Sequence, residues 1–95
     1  MLYLISYDLR AGSTVSDYAR INSAIEALGG RRVLLSQWAV RSPSSSAQLS
    51  THLREFIDDN DRLLVSEIKT TNLWSHNLRL DLGFFSQYSD LGPKH

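Results

Sequence analysis

The chain has 95 residues, 42% of them hydrophobic and 21% charged, with ten basic and ten acidic side chains and no cysteine. That length sets one domain, the missing cysteine excludes disulfides and thiolate zinc sites and fits a cytoplasmic setting, and the zero net charge argues against coating nucleic acid by bulk electrostatics. No apolar run approaches the roughly 20 residues of a membrane span, and the first residues carry neither the basic region nor the cleavage site of a signal peptide, so no membrane partner is expected.

Residues 2–8, LYLISYD, form a short apolar run with the length and aromatic content of a central strand. The loop RAGSTVS follows, and its serines and threonine offer helix N-caps. In SDYARINSAIEALGG, Tyr18, Ile21, Ile25 and Leu28 recur at steps of three and four, the spacing of one helical face. Asp17 falls in the first turn, where negative charge suits the helix dipole. Gly29 and Gly30 supply a left-handed stop. RRVLLSQWAV then reads either as one long strand or as two short strands meeting near Ser36.

Pro43 and a serine run break the pattern and offer caps for a second helix. Leu49, Leu53, Phe56 and Ile57 make its apolar face. Asp58, Asp59, Asn60 and Asp61 read as a turn, because carboxylates oppose the dipole at a helix C-terminus. RLLVSEIK is a further strand. The order strand, helix, two strands, helix, strand predicts an α+β, ferredoxin-like βαββαβ sandwich over residues 1–69, with helices on one face of an antiparallel sheet.

Residues 70–95 remain as a C-terminal extension. Leu78, Leu80 and Leu82 alternate with Arg79 and Asp81, the period of a half-buried strand, and Trp74 precedes them. A core this small is marginally stable alone. The expectation is a homodimer in which Trp74, Leu78, Leu80 and Leu82 cross to the partner's sheet edge. The alternative is packing against the chain's own domain.

Eight of the ten basic residues are arginines, suited to bidentate phosphate contact. Arg31, Arg32 and Arg41 flank one expected hairpin and would form a local basic patch. His52, His76 and His95 are too widely spaced to propose a zinc site. Trp38 and Trp74 read as packing or interface anchors rather than base-stacking platforms.

Three stretches resemble the small CRISPR-associated Cas-two family and its ferredoxin-like relatives, the SinR-like and virulence-associated protein D-like proteins. YLISYDL resembles the family's opening strand. GGRRVLLSQWAV resembles its hairpin, with Arg32, Ser36 and Trp38 at the matching spacing. DDNDRLLVSEIK resembles its acidic turn and last core strand. The chain departs from the pattern at Leu34, where the family often has glutamine, and in its first helix, where Arg20 is the lone basic residue.

The resemblance implies that Asp8 ends the first strand near a dimer axis, facing its copy from the second subunit. Two facing aspartates would suit Mg²⁺, which takes one or two carboxylates and keeps several waters. It further implies metal-dependent phosphodiester cleavage, with RNA the first substrate to consider, DNA the second, and Arg10 steadying phosphate charge. The alternative of the same fold is a non-catalytic dimer that binds nucleic acid or a protein partner. Read without the resemblance, Asp8 would cap its loop, with Ser13 or Thr14 donating to it.

Overall fold

The computed structural model describes residues 1–69. The expected C-terminal strand or arm, with Trp74, Leu78, Leu80 and Leu82, lies outside the described residues. The elements are β1 (Leu2–Asp8), α1 (Val15–Ala27), β2 (Arg31–Leu34), β3 (Gln37–Arg41), α2 (Ser46–Leu53), one 3-10 turn (Arg54–Phe56) and β4 (Arg62–Glu67). The sheet runs β2-β3-β1-β4, and every pairing is antiparallel. The first and second helices each connect strands that are not sheet neighbours, which makes this the split βαβ arrangement of a ferredoxin-like α+β domain.

Period-2 alternation divides β1 between two environments. Tyr3, Ile5 and Tyr7 are buried; on the other face Leu4, Ser6 and Asp8 are half-buried or exposed, while Leu2 and Ala39, which stands level with Leu4, are buried. The core lies on the first of these faces, where Ile5 and Val40 of the sheet meet Ile21 and Ile25 of α1 and Leu53 of α2. All five are fully buried. Burying side chains of this size stabilises by about 1.5–3 kcal/mol each. The opposite surface is called the open face below.

Local chemistry fixes each helix end. Thr14 caps α1 by accepting from the backbone of Asp17, whose carboxylate reaches back to the Thr14 N–H. Ser45 and Gln48 form the same reciprocal box on α2. At the end of α1, Gly29 adopts φ +82°. Its N–H donates to Glu26, and the N–H of Gly30 donates to Ile25, the two bonds of a Schellman stop. The expected helical face is adjusted in one place. Tyr18 is 38% exposed, and Ala24 sits in the core between Ile21 and Ile25.

RRVLLSQWAV resolves into two strands rather than one. Arg31 pairs with Ala39 and Arg32 with Trp38, and the register then shifts so that Leu34 pairs with Gln37. The bulge at Val33 turns the hairpin tip outward, leaving Leu34 46% and Leu35 68% exposed. Among the described residues, no helix is long and apolar enough to cross a membrane.

Candidate nucleic-acid and metal site on the open sheet face

Asp8 closes β1 directly opposite Arg62, the first residue of β4. Both side chains stand on the open face. Their side chains are 76% and 84% exposed, and Asp8 Oδ2 lies 3.8 Å from Arg62 Nη1. That distance makes an ion pair without a hydrogen bond. The pair borders a shallow hollow of about 210 Å³ floored by Ser6, Tyr7 and Leu64. Beside it, Gln37 donates to Ser6 Oγ at 2.9 Å. Of the two hydroxyls considered as donors to Asp8, Ser13 donates to the Arg10 carbonyl at 2.7 Å, and the Thr14 oxygen accepts from the Asp17 N–H in the cap of α1.

Arg10 is only two residues from Asp8, yet it turns toward the helices. Its guanidinium meets Asp58 at 3.0 Å, Asp17 at 3.3 Å and Asp61 at 3.4 Å. Asp61 is the anchor of this group, with a side chain only 2% exposed. Its carboxylate accepts from the backbone N–H of Arg10 at 2.7 Å and of Asp58 at 2.8 Å. Burial pushes the Asp61 carboxyl upward, but these two N–H donors and the Arg10 charge outweigh it, so the group titrates below the ordinary carboxylate range. Asp17 is lowered as well, first by the Thr14 N–H and hydroxyl, which outweigh desolvation, with Arg10 adding to the lowering and Asp61 opposing it. The cluster staples the end of β1 to the start of α1 and to the turn before β4.

The three hairpin arginines do not form one patch. Arg32 pairs with Trp38 on the core side, its guanidinium 4.9 Å from the centre of the indole ring. Trp38 is 4% exposed and donates to the Tyr7 hydroxyl, which in turn donates to Asn22. It is a core side chain, as its apolar surroundings in the sequence suggested. Arg31 and Arg41 belong to the open face, opposite Ala39 and Leu2 respectively. Ala39 is level with Leu4, four residues from Asp8, and Leu2 is six residues away. At about 3.3 Å per residue, Arg31 and Arg41 therefore stand roughly 13 and 20 Å along the sheet from the carboxylate. They lie too far away to meet the phosphate that Asp8 would meet.

The open face thus carries an acid–base pair at one end and two arginines at the other, with Leu4, Leu34 and Leu64 between them. Arg62 was not singled out by sequence reasoning. Its partnership with Asp8 depends on the β1–β4 register, which no local pattern encodes. Among the described residues, no group of three or more histidine, cysteine, aspartate or glutamate side chains is arranged to hold a metal ion. One chain offers a divalent ion a single exposed carboxylate here. No protein-family model matches the chain.

Proposed function

We propose that the protein is a Cas-two-like homodimeric nuclease that cleaves phosphodiesters, RNA first among them, in a Mg²⁺-dependent reaction through Asp8 of each subunit. The observation that carries this reading is the placement of Asp8: the last residue of a central strand, exposed on the open face and bordered by a hollow and a cation. Strand ends of this kind position a side chain firmly while leaving it in reach of substrate.

The residues fit the ion only in pairs. A lone carboxylate makes a weak Mg²⁺ site, whereas two carboxylates and several waters satisfy its octahedral preference. Asp8 from each of two subunits would hold it. Bound there, the ion would lower the pKa of a coordinated water and polarise a phosphoryl oxygen. Arg31 and Arg41 would contact the same strand at phosphates farther along it. Asp8 would hold the reacting end in register with them.

The test is cleavage of labelled RNA and DNA in Mg²⁺, with EDTA as control, for the wild type and Asp8→Asn. The expected result is divalent-dependent cleavage by the wild type and a loss of about a thousandfold in the variant, several kcal/mol of barrier. Cleavage that survives the substitution rejects the proposal. Sedimentation of both proteins should give the same dimer.

A second reading is favoured by the Asp8–Arg62 pair itself, which partly neutralises the carboxylate. In it, the same fold is a non-catalytic dimer that binds nucleic acid or a protein. That reading predicts no cleavage, and binding that is indifferent to Asp8→Asn.

A further inference from the structure

We infer that Arg62 is the cation that meets the phosphodiester beside Asp8. The inference rests on the nuclease reading and extends it to a residue that contacts substrate. The site needs positive charge close to the carboxylate, and the four arginines put forward by the sequence do not supply it; Arg32 lies over Trp38 on the core side. Arg10 is surrounded by Asp17, Asp58 and Asp61. Those four groups together carry a net charge of −2, so a phosphate arriving there meets repulsion and finds the guanidinium already engaged. Arg31 and Arg41 lie roughly four and six residues along the sheet.

Arg62 has the opposite setting. It is level with Asp8 in the register, on the same face, with 84% of its side chain exposed. Its contact with Asp8, at 3.8 Å, is too long for a hydrogen bond, so its planar fork stays open to a phosphate seated in the adjoining hollow. Were Asp8 to hold a divalent ion, the carboxylate charge would be shared with the metal and Arg62 would be left to meet the phosphate. Arg62 is thus both the resting partner of Asp8 and the side chain that receives substrate charge.

The experiment is fluorescence anisotropy of a labelled single-stranded RNA, with Ca²⁺ replacing Mg²⁺ to suppress cleavage, across a series of salt concentrations. Arg62→Ala should weaken binding by about tenfold at low salt and reduce the slope of log affinity against log salt by about 0.7, the value of one phosphate contact. Arg62→Lys should keep the slope, because it keeps the charge. Since the side chain is exposed, both variants should retain the wild-type melting temperature. A wild-type slope in Arg62→Ala overturns the assignment and leaves the nuclease reading standing. The same titration is run on single-stranded DNA, and a wild type that binds neither RNA nor DNA overturns both.

Discussion

Asp8 and Arg10 are separated by one residue and belong to two unlike electrostatic settings. On the open face, Asp8 and Arg62 meet at 3.8 Å with both side chains largely in water. On the helix side, Arg10 is drawn into three carboxylates, one of them buried and held by two backbone N–H donors. An exposed pair contributes little to stability because water screens it and both side chains lose freedom. The inner cluster is part of the fold, since removing Asp61 takes the acceptor from the backbone N–H groups of Arg10 and Asp58. The comparison shows how one strand end can serve both purposes. Leu9, which is buried, separates the two residues, and because β1 ends at Asp8, Arg10 leaves the strand period that would return it to the face of Asp8 and is held instead by the carboxylates on the helix side.

The largest expected effect comes from breaking the inner cluster. Asp61→Ala should destabilise the protein by about 3 kcal/mol, because the N–H groups of Arg10 and Asp58 lose their acceptor and Arg10 loses its buried counter-charge. Chemical denaturation would measure it, and a loss under about 1 kcal/mol would mean that the buried carboxylate is dispensable. Gly30→Ala should cost about 2 kcal/mol for a different reason. An added Cβ would lie 2.5 Å from a methyl of Ile25 and 2.8 Å from its carbonyl oxygen. This variant checks the close packing of the end of α1 against Ile25 and Val40, at the opposite end of the helix from the cluster.

The pH dependence sharpens the contrast further. Asp61 and Asp17 titrate below their ordinary range in the folded protein. Their stabilisation is therefore complete above the unfolded value near 4 and is lost as pH falls through the folded values. Melting temperature should drop steeply below about pH 4. Asp61→Asn should start lower at neutral pH and fall less steeply. The smallest effect belongs to the open face: Arg62→Ala should change stability by no more than about 0.5 kcal/mol. A double-mutant cycle should give a coupling well above that figure for Arg10 with Asp61 and near zero for Asp8 with Arg62.

Much of the fold was legible because its signals are local. Apolar periods marked the strands and helices, Gly29 marked a stop, and the serines marked the second cap. The hairpin was less so. Leu34 and Leu35 look like strand interior, and only the bulge at Val33, set by pairing with β3, puts them outside. The candidate site was legible in Asp8 alone. Arg10 bonds a residue 51 positions away, and Arg62 meets one 54 positions away. Contacts of that range follow from register and packing. The same holds for Arg31, Arg32 and Arg41, which flank one hairpin yet are divided between two faces of the sheet.

The central claim is that Asp8, on the open face, is the carboxylate that holds a divalent ion. Mn²⁺-induced broadening of backbone amide signals tests it directly, without requiring catalysis. The expected result is broadening centred on Ser6 to Leu9 and Arg62 to Leu64, saturating at one ion per two chains and abolished by Asp8→Asn. Broadening centred on Asp58 to Asp61, or broadening unchanged in the variant, would contradict it.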